Sequence, residues 1–558
     1  MTTTEFTAQV AGDVAPAVPA PRSAVLDDAH VGDIRGALGT IRHDDVAARR
    51  GFGAKLKTLI AIVGPGLIVM VGDNDAGAFS TYSQAGQNYG TRLLWTLLLL
   101  VPVLYVNQEM VLRLGAVTGV GHARLILERF GRFWGAFSVI DLFLLNALTI
   151  VTEFIGISIG LSYLGLPRLW GVLFAAACVI GAASTGSFRR FERVCVFLCL
   201  ASLLLVPIFV MAHPPVGQLA HDFVVPGMPS GNLATVMLLV IGIVGTTVAP
   251  WQLFFQQSFV IDKRITPRFI RYERADLWIG IVVVIIGAAA MMAFAAQAFA
   301  HTHGAGNFTD TGGVATGLAA YAGHTVGVLF AIGLIDASII GAAAVSLSTA
   351  YAIGDLFAIK HSLHRKPTQA KGFYAVFVAL IGLAAAMVLI PGMPLGLVTN
   401  AVQTLAGVLL PSATVFLLLL CNDKAVLGPW VNSRKVNVFT SVVIGALVML
   451  SIILTASVLF PAITGGQIMA ILVGGCVAGV VLGVGVAVRG RLRPAGSAGS
   501  AGLIEHGDRW TWRMPPLAEL ARPKLSGARR LWLGVLRGYL VLAMVMVVVR
   551  VVELALAR

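Results

Sequence analysis

Long apolar runs recur along this chain from about residue 58 to residue 489, many of them almost free of charge. A run of about 18–20 apolar residues, wound as a helix, crosses ~30 Å of hydrocarbon. Lipid offers no partner to a free N–H or C=O, so each such run is expected to be helical. Of the 558 residues 57% are hydrophobic and 12% charged, whereas a soluble domain carries about 25% charged residues. The chain therefore reads as an all-α polytopic membrane protein of about twelve spans: 58–87, 92–114, 134–164, 168–186, 191–212, 233–261, 275–300, 325–358, 373–391, 395–421, 438–461 and 467–488.

The loops alternate in charge. One set holds Arg113, Arg124, Arg129 and Arg132, then Arg189, Arg190 and Arg193, then Lys263, Arg264, Arg268, Arg271 and Arg274. It continues through Lys360, Arg365, Lys366 and Lys371, then Lys424, Arg434 and Lys435, then Arg489, Arg491 and Arg493. The intervening loops carry only Arg92 and Arg168. The positive-inside rule puts the basic loops and the N-terminus in the cytoplasm, and a bacterial-type plasma (inner) membrane is the expected setting. One missed span would scramble the alternation, so it also checks the helix count.

Residues 1–57 carry no signal-peptide pattern and are expected as a disordered cytoplasmic tail. Residues 58–489 are expected as the transmembrane domain and 490–528 as a polar linker. Residues 529–558 turn apolar again between Arg537 and Arg550, as a thirteenth span or an interfacial helix. The net charge of +14 belongs to the loops, with no basic patch interleaved with aromatics, so nucleic acid is not an expected partner. The cysteines (178, 195, 199, 421 and 476) lie in or beside apolar runs and read as small hydrophobes. No protease, kinase or nucleotide motif occurs, so an enzyme is not expected. Lipid is the expected surrounding, and no obligate protein partner is inferred.

Two spans hold residues that a lipid-facing helix avoids. The first, GPGLIVMVGDNDAGAFSTYSQAG over 64–86, places Asp73, Asn74 and Asp75 at mid-depth between Gly72 and Gly77. The second, IGIVGTTVAPWQLFFQQS over 241–258, places Gly245, Thr246, Thr247 and Pro250 there. A carboxylate at that depth costs about 2.5–3.5 kcal/mol on insertion scales, and non-helical backbone is tolerated only against protein or a wet cavity. The breaks fall in spans one and six. That spacing suits a LeuT-like pair of inverted five-helix repeats with discontinuous helices 1 and 6 meeting at a midplane site; the repeat is inferred from the break positions alone.

At these residues the chain resembles the natural-resistance-associated macrophage protein family of divalent metal transporters, over roughly residues 55–490. The family's first-helix GPG, Asp-Pro-Gly-Asn and Gln-Ala-Gly motifs correspond to Gly64-Pro65-Gly66, Asp75-Ala76-Gly77-Ala78 and Gln84-Ala85-Gly86. Its sixth-helix Met-Pro-His corresponds to Ala249-Pro250-Trp251, followed by Gln252. The resemblance implies a metal site of Asp75, the carbonyls of Gly72 and Thr246, and Gln403 on the tenth span. Ala78 and Ala249 stand where the family has an amide and a thioether ligand, and Asn74 is a further amide candidate.

Losing a soft sulfur ligand removes the grip on transition metals. The enlarged site suits Mg2+, which keeps several waters. The substitutions resemble the family's magnesium-transporting branch, so Mg2+, with Mn2+ also carried, is the expected cargo, with no cofactor. Glu153 is retained, but the family's neighbouring proton-handling Asp is Ile150 and its sixth-helix histidines are Trp251 and Gln256. Proton coupling is therefore expected to be weak or absent; the alternatives are a proton-coupled Mn2+/Fe2+ symporter and an amino-acid or other organic-solute carrier of the same fold.

Asp73, either a vestibule residue or an exposed member of the break, Glu153 and Asn400, one turn from Gln403, complete the gating candidates. Asp336 either lines the cytoplasmic exit or pairs with a neighbouring helix. Glu109 and Arg113 read as a local ion pair, and His301, His303 and Asp310 as residues of a solvated loop.

Overall fold

The computed structural model describes residues 28–230, 233–459, 463–492 and 508–520, with single positions at 534, 538 and 541. Its helices are α1 (Phe52–Ile62), α2 (Pro65–Val71), α3 (Ala76–Tyr89), α4 (Trp95–Thr118), α5 (His122–Phe130), α6 (Arg132–Tyr163), α7 (Arg168–Ala183), α8 (Phe188–Ala201), α9 (Leu205–Ala212) and α10 (Val216–Val224). There follow α11 (Leu233–Thr247), α12 (Pro250–Asp262), α13 (Ile270–Phe299), α14 (Thr311–Ala322), α15 (His324–Phe357), α16 (Lys371–Val388), α17 (Leu395–Cys421), α18 (Lys424–Leu427), α19 (Arg434–Leu459) and α20 (Gly465–Leu492).

Nine stretches among the described residues are long and apolar enough to cross a bilayer, and the bent pair α1–α2 makes a tenth. The shorter apolar helix α7 and the apolar part of α20 (Gly465–Val481) stand at the other two expected positions. In chain order the broken members are the first and the sixth, as the repeat requires. The first span, expected over 58–87 with its break around Asp73–Asp75, carries a second bend nearer its start. It bends by 54° between α1 and α2, because Pro65 lacks an N–H and starts a new helix at its first position.

The expected tail also proves shorter. Residues 28–50 are packed onto the end of the bundle that carries the basic loops. A two-stranded ribbon, β1 (Ile34–Arg35) and β2 (Thr40–Ile41), lies there. The Ala37 N–H donates to Glu192 at 2.5 Å, and Arg193 donates back to the Ala37 carbonyl at 2.9 Å. Arg264 donates to the Ala29 carbonyl at 2.8 Å. A sparse set of apolar side chains (Ile34, Ala37 and Ile41) is buried with these bonds, so composition alone hides the docking. Of the expected linker, residues 508–520 lie on the same end: Met514 N–H donates to the Val117 carbonyl at 3.2 Å, and the Arg509 guanidinium covers the Trp430 ring at 4.2 Å. The apolar segment 529–558 falls outside the described residues except at isolated positions.

Beneath the ribbon lies a sealed charge cluster. Lys263, at the end of α12, is fully buried with Glu192 of α8. Its ammonium donates to Glu192 at 2.5 Å and to the carbonyls of Ile62 and Val63 at 2.5 and 3.0 Å. The carbonyls at the end of α1, which the bend strands, thus find a cation. Asp276 of α13 takes the N–H groups of Gly66 (2.7 Å), Gly64 (3.2 Å) and Leu67 (3.3 Å) at the start of α2. Both ends of the bend are held by buried charges.

Candidate cation site

Two chain breaks face each other at mid-depth, and each has a local cause. Helix α2 ends at Val71 and α3 begins at Ala76. Asp75 is the residue that starts α3: its backbone is extended (φ −75°, ψ −171°) and its carboxylate accepts the Ala78 N–H at 3.0 Å. In the sixth span Ala249 is extended (φ −82°, ψ 143°) because proline follows it. Pro250 then opens α12.

The breaks release backbone carbonyls. In a continuous helix the Gly72 carbonyl would accept from the N–H of Ala76, but that N–H donates instead to Glu153 of α6 at 3.2 Å. The Thr246 carbonyl would accept from residue 250, and proline has no N–H to give. Both carbonyls expected from the sequence are therefore freed of their helical donors, by two different routes.

Side chains tie the four half-helices together. Gln252 of α12 donates to Asp73, and Gln108 of α4 donates to Gln252 at 2.9 Å. The Tyr82 hydroxyl meets that of Thr247 at 2.7 Å, joining α3 to α11. Gln403 of α17 lies directly over the first turn of α3, where a Cβ on Gly77 would fall 1.8 Å from its amide nitrogen. Its backbone presses on α11 in the same way, with the Gln403 carbonyl 2.2 Å from a Cβ built on Gly245. Glycine is required at 245, where the clash is with backbone, and a side chain at 77 would push the Gln403 amide away; Gln403 is clamped between the two broken spans.

Asp75 and Glu153 lie side by side and are closed off from solvent, and a Cβ on Gly341 of α15 would come within 3.0 Å of both. Two ionised carboxylates this close repel, and a cation on Asp75 relieves that repulsion. Among the described residues no group of three or more His, Cys, Asp or Glu side chains is placed to hold a metal.

The other candidates fall as follows. Asn74 turns toward α13, donating to the Val284 carbonyl at 3.2 Å, and its amide oxygen has no partner. The methyls of Ala78 and Ala249 are buried beside the breaks, and the Thr246 hydroxyl has no partner. Asp73 is not an exposed residue of the break: it is fully buried, one oxygen bound by Gln252 and the other unpaired. Asn400 accepts from Ser80 at 2.9 Å. A small cavity lined by Ser80, Thr399, Asp310 and Thr311 opens beside that pair, away from the basic end. Asp336 is buried on α15, with Ser202 at the α8–α9 junction as a polar neighbour and one carboxylate oxygen without a partner. Glu109 pairs with Arg113 at 3.2 Å and also with Arg274 at 2.5 Å. His301 and His303 are exposed, and Asp310 caps α14 through the Gly313 N–H at 2.9 Å.

The sequence reading passed over Gln108 and Tyr82, whose polarity in apolar runs was the available signal, and named Gln252 without its partner. It also passed over Asp141, a carboxylate inside the third span that the rule used for Asp336 would have found.

A bundle whose first and sixth spans break against each other at mid-depth, with a buried carboxylate at the crossing, has the architecture of a secondary transporter. Solved structures share the fold. The Eremococcus coleocola manganese transporter in complex with an aromatic bis-isothiourea substituted compound matches with a TM-score of 0.60 at 19% identity, over 80% of this chain and 96% of that one. Two mutants of the same transporter match at 0.59 and 18%, over 82% and 97%. The chain belongs to the natural resistance-associated macrophage protein-like family, whose model matches residues 66–457. It is a membrane transporter, not an enzyme.

Proposed function

We propose that this transporter imports a divalent metal cation, Mg2+ foremost and Mn2+ with it, by alternating access with weak or no proton coupling. The observation that carries the reading is the donor set at the crossing. It comprises the Asp75 carboxylate, the Gly72 and Thr246 carbonyls released from their helices, and the Gln403 amide clamped between both broken spans. These are hard donors, which suit Mg2+ and Mn2+. Where the family resemblance places a thioether, Ala249 offers a methyl group. The like-folded structure of a manganese transporter supports the substrate class.

The positive-inside rule makes the basic end cytosolic. An inside-negative potential then contributes roughly 4.6 kcal/mol per 100 mV to each doubly charged ion moving inward. A relay needs titratable side chains in sequence, and buried Ile150, Trp251 and Gln256 interrupt it.

Proton-coupled Mn2+/Fe2+ symport is the second reading, favoured by the contact between Asp75 and Glu153, a pair able to hold a proton when the cation leaves. A carrier of amino acids would aim the free start of α3 at a substrate carboxylate. Asp75 already occupies that position, which disfavours such a carrier.

The test is uptake by proteoliposomes offered Mg2+, Mn2+ or Ca2+ under an inside-negative potential, with a pH dye inside. Saturable Mg2+ and Mn2+ uptake without matching acidification is expected. Acidification in proportion to metal influx would establish the second reading, and uptake of no divalent cation would end both. Ala249→Met restores a soft donor and is expected to move preference about tenfold (~1.4 kcal/mol) from Mg2+ toward Mn2+ or Cd2+. Identical competition profiles for variant and parent would remove the soft-donor argument.

A further inference from the structure

We propose a second divalent-cation site in the half of the bundle nearer the basic end, formed by Asp141 with the hydroxyls of Ser138 and Ser412. It rests on the functional reading above. Asp141 lies on α6 about 18 Å from Glu153, at 1.5 Å per residue. It is 7% exposed, one carboxylate oxygen accepts the Ser412 hydroxyl at 3.0 Å, and the other has no partner. Asp141, Ser138 and Ser412 line one small cavity with Pro250 and Phe254 of α12. Pro250, which lines the cavity, is the residue that follows Ala249 at the break.

The hydroxyls are arranged to serve a cation. Ser412 also reaches the Leu409 carbonyl at 2.8 Å, and Ser138 reaches the Gly135 carbonyl at 3.1 Å. Ser412 has one proton to give, to Asp141 or to the Leu409 carbonyl; with that proton turned to Leu409 and the Ser138 proton on the Gly135 carbonyl, the hydroxyl lone pairs are free for a cation held by Asp141. One carboxylate, two hydroxyl oxygens and retained water make a hard, weakly binding set suited to a partly hydrated Mg2+ or Mn2+. A transported ion needs binding strong enough to attract it and weak enough to release it. A single carboxylate supplies both, and the rest of the wall, chiefly Phe137, Leu142, Phe254 and Phe416, is apolar. The unpaired oxygen of Asp141 is what calls for a ligand.

The experiment is equilibrium binding of Mn2+ to the purified full chain, read from the loss of the free-ion EPR signal, for the parent, Asp75→Asn and Asp141→Asn. Two Mn2+ per chain for the parent and one for each variant is the expected result. Two for Asp75→Asn with one for Asp141→Asn would retain this site and remove the reading of Asp75. Two for Asp141→Asn, or a single parental site lost only in Asp75→Asn, would overturn the proposal. Should Asp141→Asn fail to give a monodisperse protein, Ser412→Ala decides: about tenfold weaker binding of the second ion supports the site, and unchanged binding overturns it.

Discussion

Asp75→Asn abolishes divalent uptake while leaving the fold intact. The substitution separates two roles that the carboxylate combines. Asp75 starts α3 by accepting the Ala78 N–H at 3.0 Å, and asparagine serves that position about as well as aspartate. What asparagine lacks is the charge. Removing one partner of a buried charge pair costs about 2–5 kcal/mol, which is roughly a 30-fold to several-thousand-fold loss of affinity. Asp75→Ala removes the cap as well and is expected to lower stability by a further ~1 kcal/mol. Flux and melting temperature in detergent, measured on both variants, separate the terms. Parental uptake by well-folded Asp75→Asn would reduce Asp75 to a helix cap.

Lys263→Met destabilises the protein by about 3–5 kcal/mol, because it leaves the fully buried Glu192 without its cation. The same ammonium holds the Ile62 and Val63 carbonyls at the bend between α1 and α2, so the bend loosens with it. The double variant Lys263→Met with Glu192→Leu removes the uncompensated charge and is expected to recover most of the loss, since an apolar pair of similar volume often replaces a buried ion pair without penalty. Thermal unfolding of the single and double variants checks this. Equal stability of the single variant and the parent would show that Lys263 does not carry the cluster.

The two breaks were legible because proline and mid-membrane carboxylates leave chemical marks on an otherwise apolar sequence. Pro250 cannot donate, and Asp75 cannot sit in lipid. The released carbonyls of Gly72 and Thr246 were expected from the family resemblance, and local hydrogen bonding supports them. What was not legible depends on which side chains meet across long separations. Glu153 lies 77 residues from the Ala76 N–H that it captures, and no local pattern announces that contact. Asp336 and Asp141 look alike in sequence, each a carboxylate set in a long apolar stretch with no charged residue within one turn. One has Ser202 as a polar neighbour and the other lines a cavity with Ser412, and a helix buried on most sides gives no periodicity to tell them apart. The ribbon at 34–41 was missed because its anchors lie elsewhere, on Glu192 and Arg193.

The most direct test is an anomalous difference map from crystals grown with Mn2+. A peak within about 2.0–2.6 Å of an Asp75 carboxylate oxygen, at the crossing of the two broken spans and absent in Asp75→Asn, is the result expected. Well-diffracting crystals with no peak beside Asp75, or a peak that survives the substitution, would contradict the account.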